Sequence, residues 1–255
     1  MTTIPTDFEK LVPAPYLQPT GAIGEETHGT TVLAMKYDGG ALMLADRRAT
    51  AGNLIMFDQA EKIMALDDAT VIAISGAFAR SVEVCRYLKH SFKYFRRTNL
   101  HEISLEGKLA EISRALAGNA PMAAQGIGVF LPIVIAYDKK KDTFEAYFFD
   151  GAGARFQNGA FACAGSGSER IRGVFEYIVR RSGPLEERSM EEVLDEGLQM
   201  LDIAAELDSA TGGFHRALPI VRVLDREGNR PVDETVLKTA VDRILKRGDA
   251  VAQSR

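Results

Sequence analysis

The chain contains 255 residues, of which 46% are hydrophobic and 26% charged, so it is long and apolar enough for a globular fold with a sizeable core. Its formal net charge of −4 at pH 7 disfavours nucleic acid or an anionic membrane surface as the main partner. No apolar run reaches the length needed to cross a bilayer, so we expect no membrane association.

The first 29 residues are predicted to form an irregular leader that precedes the fold. They hold four of the nine prolines and show no sustained hydrophobic periodicity. Proline removes a backbone donor and blocks helices, so we expect this leader to be extended or irregular. The bond between Gly29 and Thr30 ends this leader, just before an apolar strand over residues 31–37. Taken alone, a glycine in this position is most often an ordinary loop residue.

The first strand is expected to form a hairpin with a second apolar run at residues 41–45. An Asp-Gly-Gly sequence at residues 38–40 separates the two runs and is a strong turn signal. With a three-residue loop, Thr30 faces Arg48 across the hairpin. In that register Asp46 lies on the same face as Thr30, as its diagonal neighbour.

A polar loop after residue 46 leads to a second hairpin, residues 62–66 and 71–75, which Lys62 opens. A helix of roughly twenty residues begins at Gly76. The remaining predicted elements are a helix at residues 105–117, strands at 128–136, 143–149 and 161–164, helices at 169–181 and 190–206, a strand at 218–223 and a helix at 233–246.

This order of elements predicts the fold class. Hairpins alternate with pairs of helices, which differs from the strict strand-helix-strand rhythm of a parallel doubly wound sheet. We predict an α+β fold in which two antiparallel sheets pack face to face and helices cover their outer sides. Because no linker, repeat or low-complexity tract follows residue 29, we expect a single domain.

Two signals bear on cellular location. The N-terminus lacks the basic and apolar regions of a secretion signal. Cys85 and Cys163 lie far apart within apolar runs, as reduced and buried thiols do. We therefore expect a cytoplasmic protein.

Most familiar catalytic patterns are missing from the sequence. The Gly-Ser-Gly-Ser run at residues 165–168 lacks the spacing and lysine of a phosphate-binding loop. A serine nucleophile elbow centred on Ser166 would need glycine at positions 164 and 168. The four histidines show no metal-ligand spacing, so we predict neither a metal nor a cofactor. A hydrolase built from this chain must find its base elsewhere.

An N-terminal threonine supplies such a base. Its α-amino group has an ordinary pKa of about 7.7–8.0, and can accept the proton of the threonine hydroxyl. Cleavage between Gly29 and Thr30 would create that amine. A nearby cation favours the neutral amine and an acid holds the cation in place, and Lys62 and Asp46 are candidates for these roles. We expect a Lys62→Ala protein to fold but lose activity, because a lysine at a strand end carries little packing.

From about residue 27 onward the chain resembles a proteasome β subunit, most closely the bacterial 20S type. Six segments carry the resemblance in the family's order: Thr27-His28-Gly29-Thr30-Thr31-Val32, Ala45-Asp46-Arg47-Arg48-Ala49-Thr50, Lys62, Ser75-Gly76, Gly165-Ser166-Gly167-Ser168 and Asp208-Ser209-Ala210-Thr211-Gly212-Gly213. The resemblance implies the N-terminal-nucleophile (Ntn) hydrolase fold, a four-layer αββα sandwich. It also implies that residues 1–29 are a propeptide removed by self-cleavage and that residues 30–255 form one catalytic domain.

The resemblance assigns roles to individual residues. Thr30 is the implied nucleophile and its freed amine the base, while Asp46 and Lys62 are the implied charge pair. Gly29 is expected to allow the tight turn that brings the Thr30 hydroxyl onto its own upstream carbonyl. Polar support around the amine is implied for Ser166, Asp208 and Thr211. The backbone N–H of Gly76 is the implied donor to the oxyanion.

The resemblance also implies how a substrate is held. Backbone groups near Thr50 and Ala77-Phe78 are expected to pair with the substrate strand. The pocket-lining candidates are Ala49, Ala60, Met64 and Ile74, which favour cleavage after apolar residues, and Phe78 is a further candidate at the mouth of the pocket. Phe78 stands where a small residue is expected, and Thr211 stands where many relatives carry serine.

The activity implied is that of a threonine endopeptidase that degrades unfolded polypeptides. Its implied partners are proteasome α subunits and other β subunits in stacked heptameric rings, with a ring-shaped ATPase regulator. Two alternatives stay open. One is an HslV-like dodecameric ring protease, which the 29-residue leader disfavours. The other is a non-catalytic ring subunit, which the presence of Thr30, Asp46 and Lys62 disfavours.

Overall fold

The computed structural model describes residues 29–253, so the predicted leader apart from Gly29 lies outside the described residues. The strands are β1 (Val32–Tyr37), β2 (Gly40–Ala45), β3 (Ala49–Ala51), β4 (Leu54–Phe57), β5 (Ile63–Asp67), β6 (Thr70–Ala73), β7 (Ile133–Asp138), β8 (Thr143–Phe149), β9 (Arg155–Asn158), β10 (Phe161–Ala164), β11 (Ile220–Asp225) and β12 (Gly228–Pro231). The helices are α1 (Phe78–Asn99), α2 (Leu105–Ala117), α3 (Ala120–Ala123), α4 (Ser168–Ser182), α5 (Met190–Leu207) and α6 (Glu234–Gln253), and a 3-10 turn spans Leu185–Glu187. Within this part of the chain, no helix is both long and apolar enough to span a membrane.

Two five-stranded sheets form the centre of the molecule. The first has the order β10-β1-β2-β11-β12 and the second the order β5-β6-β7-β8-β9, and every neighbouring pair is antiparallel. Helices α4, α5 and α6 share an apolar cluster with the first sheet, while α1 and α2 share one with the second. A third apolar cluster lies between the sheets. The predicted α+β sandwich with four layers is therefore confirmed.

Strand β1 has an almost continuously apolar sequence because both of its faces are covered. Leu33 and Met35 belong to the cluster shared with α5, whereas Val32 and Ala34 belong to the cluster between the sheets. Alternate residues of a strand face opposite sides, and both sides of β1 are covered, so all its positions except Lys36 are buried.

Two of the predicted helices begin at local capping signals. The Ser104 hydroxyl accepts a hydrogen bond from the Gly107 N–H at the start of α2. At the start of α5, Ser189 and Glu192 form a reciprocal capping box. Both groups satisfy backbone donors that the helix itself cannot use, which fixes where each helix starts.

The first hairpin differs from its predicted register by one residue. Tyr37 pairs with Gly40 and Val32 with Ala45, so the turn has two residues rather than three. The Asp46 N–H accordingly donates to the carbonyl of Thr31. Because strand side chains alternate with a period of two, a slip of one residue changes every cross-strand neighbour. The expectation that Thr30 faces Arg48, with Asp46 as its diagonal neighbour, was wrong.

Several short strands were missed, and the strand predicted at residues 128–136 began too early. The predicted polar loop after residue 46 contains the hairpin of β3 and β4, and β9 and β12 are additional edge strands. Strands of three or four residues are too short to display an alternation that can be distinguished from chance. Strand β7 begins at Ile133 rather than at residue 128, because Pro132 has no N–H for the ladder.

Candidate active site

Thr30 lies two residues before β1 and is buried. Its hydroxyl donates to the carbonyl oxygen of Gly29 over 2.6 Å, and the Gly29 N–H donates to Thr50 Oγ1 over 3.0 Å. A Cβ atom on residue 29 would lie 1.8 Å from the Cβ of Ala210, so this position has no room for a side chain. Close packing against Ala210 therefore requires glycine at this position.

Lys62 and Asp46 form a buried ion pair. Lys62 Nζ lies 2.7 Å from Asp46 Oδ1, and each residue is only 1% exposed. The Ile74 N–H donates to the carbonyl of Lys62 and holds the lysine beside the end of β6. Burial lowers the pKa of Lys62 from its ordinary value, and the Asp46 carboxylate opposes that change. The expectation that this lysine carries little packing was wrong, since it is among the largest fully buried side chains.

The Asp46 carboxylate connects three segments of the chain. Oδ1 accepts the Thr31 N–H over 2.9 Å as well as the Lys62 ammonium. Oδ2 accepts the N–H groups of Arg48 and Gly212, each over 2.8 Å. Four donors therefore match the four lone-pair positions of the buried carboxylate. The carboxylate fixes the start of β1, the segment after β2 and the loop after α5 relative to one another.

Ser166, Asp208 and Thr211 form a second polar cluster. The hydroxyls of Ser166 and Thr211 both donate to Asp208 Oδ2 over 2.6 Å. The structure thus brings together the three residues that were expected to support the amine. Their link to the first strand runs through the Thr31 hydroxyl, 2.7 Å from Thr211 Oγ1, rather than through Thr30.

Gly76 follows β6 and has a φ of +101°, a conformation that favours glycine. It forms an isolated antiparallel bridge with Phe130. The hydrogen bonds of that bridge join the Leu131 N–H to Ser75 and the Ala77 N–H to Val129. In the described part of the chain the bridge therefore leaves the N–H of Gly76 unused, as an oxyanion donor requires.

The predicted pocket residues are spread over several elements. Ala60 and Ile74 are buried, while Ala49, Met64 and Phe78 are half-buried. Met64 borders a groove of about 430 Å³ beside α1, together with Val82 and Cys85. Burial raises the pKa of the Cys85 thiol to about 12, so this cysteine is not a nucleophile near neutral pH. Ala49, Ala60, Ile74 and Phe78 do not line this groove, and their role as pocket residues stays a prediction.

Two residues of the site were given no role from the sequence. Thr31 binds both carboxylate clusters, through its N–H and its hydroxyl. The Arg48 guanidinium lies 2.9 Å from Asp58 Oδ1 and donates to the carbonyls of Ser209 and Thr211. Both residues lie inside segments that carried the resemblance, but only their long-range contacts show which parts of the site they hold in place.

The sandwich, with a buried threonine at the head of an inner strand, defines the class of Ntn hydrolases. A family model described as "Proteasome subunit" matches residues 26–217. The chain is 31% identical over 234 residues to a protein named "Proteasome subunit beta" of Streptomyces griseus, covering 91% of this chain and 81% of that one. Proteins with the same name in Acidimicrobium ferrooxidans and Acidothermus cellulolyticus are 32% identical over 222 residues and 31% identical over 243 residues. These alignments cover 86% and 92% of this chain, and 79% and 82% of those proteins.

The chain therefore belongs to the proteasome subunit family, and its relatives are β subunits. The resemblance inferred from the six sequence segments is confirmed.

Proposed function

We propose that this chain is a threonine endopeptidase subunit of a self-compartmentalised 20S-type proteasome core, which degrades unfolded proteins to peptides. The contact of the Thr30 hydroxyl with the Gly29 carbonyl, 2.6 Å apart, is the observation that carries the proposal. It puts a hydroxyl against the peptide bond whose cleavage would free an amine on the same residue. The buried pair of Lys62 and Asp46 provides the cation and the acid that such an amine needs.

Self-cleavage would begin with an acyl shift. The oxygen of the Thr30 hydroxyl attacks the carbonyl carbon of Gly29, and the bond from that carbon to the Thr30 nitrogen breaks. The proton lost by the hydroxyl ends on the nitrogen, and Gly29 is left as an ester on the threonine oxygen. Water then hydrolyses the ester, which releases residues 1–29 with a C-terminal carboxylate and restores the hydroxyl.

Substrate cleavage would repeat the same acyl chemistry. The free amine of Thr30 accepts the hydroxyl proton, the oxygen attacks the scissile carbonyl, and the proton passes to the departing amine. The Lys62 ammonium favours the neutral, proton-accepting form of the Thr30 amine. The N–H of Gly76 is the proposed donor to the oxyanion. Water hydrolyses the acyl-enzyme and completes the cycle.

We place the subunit in stacked heptameric rings with α subunits and other β subunits, fed by a ring-shaped ATPase. The relatives named as proteasome β subunits support the β-subunit role. Residues 1–29 would be the propeptide and residues 30–255 the catalytic domain. The apolar character of the predicted pocket residues, Met64 and Ile74 among them, is the basis for proposing a preference for cleavage after apolar residues.

The test is to co-express the chain with its α subunit and measure the intact mass of the β chain in the purified particle. We expect the wild-type chain to begin at Thr30 and to hydrolyse a fluorogenic peptide amide. A Thr30→Ala chain should stay full-length and inactive, while the exposed control Thr98→Ala should behave as wild type. A full-length wild-type chain in an inactive particle would support a non-catalytic subunit. Sixfold rather than sevenfold rings in negative-stain images would support the dodecameric alternative.

A further inference from the structure

The hydroxyl of Thr31 has no part in the proposed chemistry, yet it is completely buried and bonded. Its Oγ1 lies 2.7 Å from Thr211 Oγ1, and both residues are 0% exposed. A buried hydroxyl in such a contact either donates or accepts, and the rest of the cluster decides which.

The direction of this hydrogen bond follows from the neighbouring one. Thr211 Oγ1 donates its single proton to the Asp208 carboxylate over 2.6 Å. Thr211 can therefore only accept from Thr31, because a hydroxyl has one proton to donate. The chain of donors runs from Thr31 to Thr211 to Asp208, and Ser166 donates to the same carboxylate oxygen from the other side.

The backbone of Thr31 is bound just as firmly to the other carboxylate. Its N–H donates to Asp46 Oδ1 over 2.9 Å, and its carbonyl accepts the Asp46 N–H over 3.2 Å. Thr31 is thus attached at three atoms, two in the cluster of Asp46 and Lys62 and one in the cluster of Asp208. It is the residue that follows the proposed nucleophile, so its peptide plane sets the orientation of Thr30.

We propose that Thr31 is a positioning residue, whose hydroxyl joins the two polar clusters and holds Thr30 in the orientation for attack. This inference rests on the proposed function. Without the hydroxyl, Thr211 keeps its bond to Asp208 but retains a buried acceptor with no donor. Thr211 and the start of β1 then lose their common anchor, while the pair of Lys62 and Asp46 stays in place.

The test compares Thr31→Val with Thr31→Ser and Thr31→Ala in the particle co-expressed with the α subunit. Valine keeps the shape and removes only the donor, whereas serine keeps the donor. Thr70→Val is the matched control, since Thr70 is also 0% exposed, and its hydroxyl is bonded to Lys108 on another part of the fold. The measurements are kcat and KM for a fluorogenic peptide amide and the rate at which residues 1–29 are lost.

We expect Thr31→Val to lower kcat and the processing rate about tenfold, the effect of one buried unsatisfied polar group, with KM unchanged. Thr31→Ser should restore both rates to near wild type, and Thr70→Val should leave both unchanged. Adding Thr31→Val to Thr211→Val should cost nothing beyond the effect of Thr211→Val alone, because the two hydroxyls act through one bond.

A wild-type kcat in Thr31→Val would overturn the proposal, as would an equal loss in Thr70→Val. If Thr31→Val does not fold, the serine and alanine variants decide the question. Serine should exceed alanine about tenfold in kcat, since only serine donates to Thr211, and equal values would overturn the proposal. An inactive wild type, or an active Thr30→Ala particle, would instead contradict the proposed function itself.

Discussion

Two lysine–aspartate pairs, each with a buried lysine, stabilise different parts of this molecule, and their geometry is nearly the same. Lys62 pairs with Asp46, and Lys108 pairs with Asp67, each over 2.7 Å. The two lysine side chains are 1% and 5% exposed. Distance and burial of the lysine alone would not distinguish a catalytic pair from a structural one.

The other contacts of each pair show the difference. Asp67 also accepts the N–H of Ala69 in its own hairpin turn, and Lys108 also donates to Thr70 beside that turn. This pair fastens α2 to one hairpin, and the Asp67 side chain is 24% exposed. Asp46 also accepts a local N–H, from Arg48, but it binds two further backbone N–H groups from distant segments, those of Gly212 and of Thr31, the residue next to Thr30. A pair that holds distant segments together beside the proposed nucleophile has the organisation of an active site.

The largest expected effect separates the two lysines by activity. Lys62→Met should lower kcat about a thousandfold, within the range for the loss of a group that controls proton transfer. Stability should fall by about 3–5 kcal/mol, because the fully buried Asp46 carboxylate keeps three backbone donors but loses its cation. Peptide hydrolysis by the assembled particle and its thermal unfolding midpoint measure the two effects. A Lys62→Met particle with near-wild-type kcat would remove the distinction between the pairs.

Lys108→Met is the opposite test. We expect kcat to stay within about twofold of wild type, since the pair has no contact with the Thr30 segment. The loss of stability should be about 1–3 kcal/mol, because Asp67 is partly solvated and water replaces the lysine. The thermal unfolding midpoint should fall accordingly. If Lys108→Met abolishes hydrolysis in a particle that assembles normally, then α2 acts on the site and the second pair is not purely structural.

A smaller effect is expected at Arg48, which holds the loop after α5 against the Asp46 segment. Lysine cannot reproduce the guanidinium contacts with Asp58 and with the carbonyls of Ser209 and Thr211. Arg48→Lys should lower kcat about tenfold, the effect of losing one or two partly buried hydrogen bonds. Arg47→Lys is the matched control, because Arg47 pairs at the surface with Glu61. Equal kcat values for the two variants would show that the loop needs no such anchor.

The smallest effect concerns pH. Burial lowers the pKa of Lys62 from its ordinary value of 10.5. At pH values between the lowered pKa and 10.5, Lys62 is therefore more protonated in the unfolded chain than in the folded one. Stability therefore rises with pH across that interval and falls as pH decreases through it. The difference in unfolding midpoint between wild type and Lys62→Met, measured from neutral pH to pH 10, should change in favour of wild type. A difference that declines with pH would mean that Asp46 outweighs burial.

Much of this fold follows from local patterns that the sequence displays. The predicted strand at residues 161–164 and helix at 105–117 match β10 and α2, because apolar periodicity and end signals act within a few residues. The pairing of Asp46 with Lys62 was also proposed from the sequence, once their types and spacing matched a site with a threonine nucleophile. Short edge strands such as β4 gave no comparable signal.

The sequence by itself determined the layers, the order of the elements and the residue types that a threonine nucleophile needs. Only the tertiary structure decided the two-residue turn between β1 and β2, which sets Thr31 opposite Asp46 and removes Thr30 from its predicted place opposite Arg48. Only the tertiary structure revealed that Lys62 is buried and that Thr31 joins two carboxylates separated by more than 150 residues. Periodicity reports which face of an element is apolar, whereas a hydrogen-bond partner is chosen by the packing of whole sheets and loops.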